Sequence, residues 1–261
     1  MPACVEKIFI HPIKSLERVA VSEAEILPGG SLKHDREFAL FDAAGHFIIG
    51  KRTPLVHQVR CDYDLPGLKV NLRAADRGES GYLHLIHDAQ RLETWLSAHF
   101  NMPVSLKRNT TMGFPDDTDS PGPTLIGAAT LEKIKSWFGD IPDAAEASRR
   151  FRSNIEIGGV EEFWEDRLFG APGETRPFSI GGVLFEGVNP CARCVVPSRD
   201  SSGNGITKSF AKIFSGKRRE SLPGWVESGR FDHFYRVAVN TRVSESEAGK
   251  TIRVGDAVKL S

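Results

Sequence analysis

Short runs of alternating apolar and polar residues fill the first eighty positions. Cys4 to Ile10 alternates loosely and stops at His11-Pro12. Ile13-Lys14-Ser15 leads into a second run through Val19, Val21, Ala24 and Ile26, closed by Pro28-Gly29-Gly30. Arg36 to Asp42 and His46 to Gly50 flank the turn Ala43-Ala44-Gly45, which predicts a hairpin. Val56 to Tyr63 and Gly67 to Leu72 predict a further strand pair around Leu65-Pro66-Gly67. Strands this short, separated by turn residues, point to a barrel or a sandwich.

The period then changes. Behind Asp88, the residues Leu92, Trp95, Leu96 and Phe100 stand at helical spacing, predicting a capped helix whose apolar stripe is core. The polar, proline-rich stretch from Asp116 to Pro123 reads as a linker, placing domains at 1–115 and 116–261. A helix through Leu131, Ile134, Trp137 and Phe138 follows, then a short helix over 144–149 and a strand over 151–157. Gly182 to Val188 is a β-run leading directly into Asn189-Pro190-Cys191-Ala192-Arg193-Cys194-Val195-Val196-Pro197. Beyond it come a turn from Ser201 to Gly205, a short helix over 208–214, and strands over 233–239 and 251–260, the last split at Gly255-Asp256. The reading is mainly β, with a few short helices.

Composition narrows the function. The 261 residues carry 34 basic and 34 acidic side chains, so no net field draws in nucleic acid or an anionic membrane. No run approaches the roughly 20 apolar residues of a membrane span, and no signal peptide is evident at the N-terminus. Four cysteines, two of them isolated at Cys4 and Cys61, make no secreted disulfide framework. A soluble, reducing, cytoplasmic setting is expected.

The chemistry concentrates at Cys191 and Cys194, with Arg193 between them and Arg199 beyond. A guanidinium beside a thiol favours the thiolate, the nucleophilic and metal-binding form, and a soft thiolate suits a soft metal centre. Half of a structural zinc site would need two more ligands. A thioredoxin-type pair would open a helix, whereas Val195-Val196-Pro197 favours extended chain. Cys4 and Cys61 read as small buried hydrophobes. Cys191 stays open between that reading and chemistry, and Cys194 is read as functional. His84-x-x-His87 has no third ligand nearby and reads as a polar strand end. Lys217-Arg218-Arg219 reads as a solvated loop, and Gly203-Asn204-Gly205 lacks the context of a phosphate loop.

Five segments, taken together and in order, resemble the MOSC superfamily. The likeness is to the branch with an N-terminal β-barrel domain, which includes the mitochondrial amidoxime-reducing component and its bacterial relatives. His11-Pro12-Ile13-Lys14-Ser15 is similar to the family's "YPVKS", and Leu32-Lys33-His34-Asp35-Arg36 to its "DR" segment. Arg150-Phe151-Arg152-Ser153-Asn154 resembles "RFRPN", Cys191-Ala192-Arg193-Cys194 "C-x-R-C", and Ile252 to Val258 the closing "I-x-V-G-D-x-V". The resemblance implies an N-terminal β-barrel-like domain followed by a MOSC β-barrel. It also implies molybdenum-cofactor (Mo-molybdopterin) binding, with Cys194 as the metal ligand and catalytic residue. Lys14, Ser15, Arg36, Arg152 and Asn154 are the implied pterin and phosphate contacts, and the superfamily carries an association with pyridoxal phosphate. The implied activity is reduction of N-hydroxylated small molecules (amidoximes, hydroxylamines, N-hydroxylated bases). Electrons would come from a separate iron–sulfur, haem or flavin protein. A persulfide-carrying role for Cys194 is the alternative, and a degenerate member without cofactor a third. Relatives often place a Thr-Ser pair in the linker region, where this chain has only Ser120.

Overall fold

The computed structural model describes residues 2–203 and 205–261. In chain order the elements are β1 (Cys4–Ile10), β2 (Val19–Val21), β3 (Glu23–Glu25), β4 (Phe38–Phe41), β5 (Arg60–Asp64), β6 (Lys69–Ala74) and β7 (Gly78–His84). Then follow α1 (Ala89–Phe100), β8 (Ser105–Arg108), β9 (Leu125–Gly127), α2 (Ala128–Ser136), α3 (Ala144–Phe151) and β10 (Ile155–Gly158). The chain closes with β11 (Arg176–Ile180), β12 (Val183–Ala192), α4 (Phe210–Glu220), β13 (Arg236–Arg242), β14 (Thr251–Arg253) and β15 (Val258–Leu260). The protein is mainly β, as its alternating runs predict.

The main sheet has eight strands in the order β15-β11-β12-β13-β9-β10-β1-β2. All its pairs are antiparallel except β9 with β10. The first strand of the chain is thus built into the sheet of the last ones, with Ile8 opposite Ile155. A bridge between Cys4 and Ala257 brings the start of β1 against the approach to β15. Smaller sheets pair β14 with β3, β4 with β8, and β5 with β6 and β7. Alternate residues of β11 and β12, among them Phe178 and Phe185, bury into the core of the main sheet. A second core joins Ile13 and Leu16 to β4, β6 and the Leu92, Leu96 and Phe100 stripe of α1. A third packs α2, α3 and α4 against β9 and β13.

Five local expectations are corrected. His46 to Gly50 is not a strand. The turn closes, with the Gly45 amide donating to Asp42 O at 3.0 Å, but only a single bridge, Phe41 to Phe47, survives. Here β4 pairs with β8 instead. Val56 lies in a 3-10 segment, Pro54–Gln58, because Pro54 presets its first turn. Val196–Ser198 is likewise a 3-10 turn rather than extended chain, with Pro197 inside its first turn. Phe151 ends α3 instead of starting a strand, so Asn154 precedes β10. Finally, Lys217, Arg218 and Arg219 form the last turn of α4, not a loop. Arg218 has no solvent exposure and is paired with Asp166. In the turn expected over 201–205, Gly203 N bonds Asp200 O at 3.1 Å, and Asn204 lies outside the described residues. His84 ends β7, its ring 4.3 Å from that of His87. Among the described residues no helix is long and apolar enough to cross a membrane.

Candidate functional site

A cavity of about 540 Å³ is walled by residues from widely separated segments. Lys14, Ser15, Arg36, Arg152, Asn154 and Cys194 all line it, as do Cys191 and Ser120. Three of these, Ser15 (φ 73), Arg36 (φ 50) and Arg152 (φ 57), hold the left-handed backbone conformation that side chains disfavour. Such strain persists only where surrounding contacts fix it, and it gathers at functional positions.

Each strained position has visible anchors. Arg152 caps α3, its amide donating to Ser148 O at 2.9 Å, while its guanidinium donates to Leu16 O at 2.7 Å. The helix it ends is started by Asp143, whose carboxylate accepts from the Glu146 amide at 2.7 Å. Arg36 lies between two backbone bonds, its amide to His11 O at 2.7 Å and its carbonyl from Phe114 N at 2.8 Å. Ser15 follows Lys14, whose amide donates to Phe38 O at 2.7 Å.

The cavity is strongly charged. Burial works against the charge on Arg36, but Asp35, in direct contact, outweighs it and keeps its pKa above the usual arginine value. Burial lowers the pKa of Lys14, and Asp116 restores only part of the loss. Its Nζ donates to Phe114 O at 2.9 Å and to the Asp116 carboxylate. Asp116 is crowded by protein atoms, which by itself raises its pKa. Lys14 and Arg36 overcome that and hold it well below the carboxylate range, although 83% of its side chain is open to the cavity. Arg152 is driven down to about 10 by burial and then by Arg36, and no ion pair to it is found among the described residues. Asn154 is 1% exposed, and its amide is largely spent on the framework. Its Oδ1 accepts from Thr124 N at 3.2 Å and its Nδ2 donates to Phe9 O at 3.0 Å, with Arg36 at 3.5 Å.

The two cysteines differ. Cys191 lies in β12 and accepts from Arg193 Nη1 at 3.1 Å. The same guanidinium donates to Phe151 O and stacks over the Phe151 ring. Arg193, read from sequence as the neighbour of the Cys194 thiol, therefore serves Cys191 and the end of α3. Cys194 stands two residues ahead of the 3-10 turn, its Sγ accepting from Val196 N at 3.5 Å and its carbonyl from the Tyr235 hydroxyl at 2.9 Å.

Sequence reading missed His57 and Ser31 as wall residues. His57 Nε2 and Ser31 Oγ are buried without a hydrogen-bond partner among the described residues. His57 is held down to about 4 by burial and by Arg152, Arg199 and Arg60, so it is neutral at pH 7. A Cβ on Gly50 would meet its Nε2 at 2.8 Å, so glycine there lets the ring close against the wall. No spacing around His57 marks it; only the fold brings it in. Among the described residues no group of three or more His, Cys, Asp or Glu could hold a metal ion.

A profile described as "MOSC N-terminal beta barrel domain" matches residues 2–102, and one described as "MOSC domain" matches residues 125–259. The chain belongs to the MOSC family. It is similar to a molybdenum cofactor sulfurase of Oryza sativa subsp. japonica, at 23% identity over 97% of this chain. It spans only 35% of that relative's length. A solved structure of the YUAD protein from Bacillus subtilis shares 10% identity at a TM-score of 0.40, over 99% of this chain and 94% of that one.

Proposed function

We propose that the cavity binds the molybdenum cofactor and that the chain is an oxidoreductase removing oxygen from N-hydroxylated small molecules. A separate protein supplies the electrons. The observation carrying this reading is the meeting of the Cys194 sulfur with Lys14, Arg36 and Arg152 on a single cavity wall. The donor set fits a phosphorylated pterin dithiolene. Guanidinium forks and an ammonium suit a phosphate dianion, the orphaned Ser31 hydroxyl and His57 nitrogen suit a polar ring edge, and a thiolate extends a sulfur-rich ligand sphere. Asp116 pairs with the Lys14 ammonium, so an incoming anion would compete with it there.

When bound, molybdenum with its dithiolene supplies two-electron removal of oxygen from the substrate. The residues of the chain do the rest. Cys194 presents its sulfur from a turn fixed by Val196 N–H and the Tyr235 hydroxyl. Lys14, Ser15, Arg36 and Arg152 orient the anionic end, and Asn154 ties Arg36 to Phe9 of β1 and to Thr124 just ahead of β9.

Protein purified from a host that makes the cofactor should carry about one molybdenum per chain and pterin fluorescence, and should reduce an amidoxime when given a chemical reductant. Absence of molybdenum under those conditions defeats the proposal. The similarity to a molybdenum cofactor sulfurase favours a second reading, a sulfur carrier holding a persulfide on Cys194. Sulfane sulfur on Cys194 without reductase turnover would select it.

A further inference from the structure

A second cavity, of about 320 Å³, shares Ser15, His57, Arg150, Arg152 and Val196 with the first. Five arginines line it, Arg18, Arg149, Arg150, Arg152 and Arg199, against two acidic residues, Glu17 and Asp200. The carboxylates nearby are already engaged. Glu146 accepts from Arg149 at 3.0 Å and from Arg150 at 2.8 Å, and Glu17 accepts from Arg60. Asp200 accepts from the Ser202 hydroxyl at 2.7 Å.

Arg18, Arg152 and Arg199 have no ion pair among the described residues. Arg18 lies 3.5 Å over the Phe9 ring and donates to Ser148 Oγ at 2.7 Å. Arg152 donates to Leu16 O, and Arg199 to Gly50 O. Each contact uses part of a five-donor fork. Arg18 and Arg152 also repel each other. Arg18 is pushed down to about 10, by burial first and then, against the pull of Glu156, by Arg152 and Arg149. Desolvated like charges this close are costly unless an anion joins them. A lone carboxylate is satisfied by one fork, whereas three open guanidiniums match a group with several acceptor oxygens.

We propose that this second cavity is a subsite for a phosphate-type oxyanion, held by Arg18, Arg152 and Arg199, and that the oxyanion is the tail of a substrate whose reacting end lies at Cys194. Val196 joins the two cavities, lining both while its amide bonds Cys194 Sγ. Lys14 and Arg36 line the first cavity and not this one, and Arg18 and Arg199 this one and not the first, while Ser15 and Arg152 line both and stand between the cofactor's phosphate and the tail. The substrate assignment rests on the function proposed above; the oxyanion site does not.

The test is calorimetric titration of inorganic phosphate and pyrophosphate into the full chain, before and after cofactor loading. The variants are Arg199→Gln and the double substitution Arg18→Gln with Arg199→Gln, in which each amide keeps N–H donors but carries no charge. Wild type should bind in both states. The double variant should bind about tenfold more weakly or worse, with unchanged melting temperature and unchanged molybdenum content. Arg199→Gln alone leaves Arg18 stacked on Phe9 and should move affinity in the same direction, so a misfolded double variant does not remove the test. Equal affinity of wild type and Arg199→Gln overturns the site. Loss of phosphate binding on cofactor loading, together with low molybdenum content in the variants, assigns the cavity to the cofactor's own phosphate and overturns the substrate tail. Phosphate binding through these arginines by a chain that takes up no molybdenum upholds the oxyanion site while defeating the proposed function, and the tail assignment falls with it.

Discussion

Cys191 and Cys194 stand three residues apart, yet only one presents its sulfur without a cation against it. Cys191 is tied to Arg193 at 3.1 Å and packs on the helical core, whereas Cys194 has a single amide contact. Cys194→Ala should therefore abolish molybdenum retention and activity, while Cys191→Ala should keep most of both. Equal loss from the two would point to a dithiol mechanism. His57 gives a second test, through pH. Its folded pKa, about 4, lies below the ordinary histidine value of 6.5. Between those values the unfolded chain binds more protons, so the neutral ring's contribution is complete above pH 6.5 and is lost as pH falls toward 4. His57→Gln should flatten the decline in urea-midpoint stability across that window. A wild-type curve already flat between pH 6.5 and 4 counts against the burial argument. The pairing of Arg193 was not legible in the sequence. Adjacency along the chain suggested Cys194, but β12 runs through Ala192 and turns only afterwards, leaving Arg193 beside Cys191 and the Phe151 carbonyl.

Elements with a one-sided burial pattern were legible, and those set by a single proline or a buried charge were not. The stripe of α1 and the alternation of β12 from Val183 to Gly187 announce themselves because period and burial agree. Pro197 fits both extended chain and the first turn of a helix, so its 3-10 turn could not be read. Gly187 is similarly silent in sequence. A Cβ there would come within 1.6 Å of Leu168 O, so glycine is what lets β12 pass the Trp164–Leu168 segment. Basic runs usually face water, yet Arg218 is fully buried, paired with Asp166 and placed 4.1 Å from the Phe163 ring. It neutralises a site where burial raises the pKa of both Glu165 and Asp166. Arg218→Ala would strand Asp166 beside Glu165 and should cost about 3–5 kcal/mol in denaturant unfolding. Replacing Arg218 and Asp166 together by apolar residues should recover much of that loss. No recovery would mean that Arg218 matters mainly as filler over Phe163 and Phe231.

At the scale of the whole molecule, the candidate site belongs to neither matched region alone. Lys14, Ser15 and Arg36 come from the N-terminal part, while Arg152 and Cys194 come from the C-terminal part. The pairing of β1 with β10 holds the two together, which is why short segments far apart in sequence could be read as one constellation once their order was noticed. The same assembly bears on electrons. Removing oxygen from an N-hydroxylated compound takes two electrons per turnover, and a source must deliver them. The four cysteines include no C-x4-C-x2-C spacing of a plant-type iron–sulfur centre, and two of them, Cys191 and Cys194, already line the candidate site. No G-x-G-x-x-G unit for a nicotinamide or flavin occurs in the 261 residues. Molybdenum-loaded protein mixed with an amidoxime should therefore turn over with a reduced viologen, which needs no docking site. With NADH or NADPH alone it should stay idle until a flavin, haem or iron–sulfur protein is added. Sustained turnover with NADPH and no partner would place an unrecognised nicotinamide site on this chain.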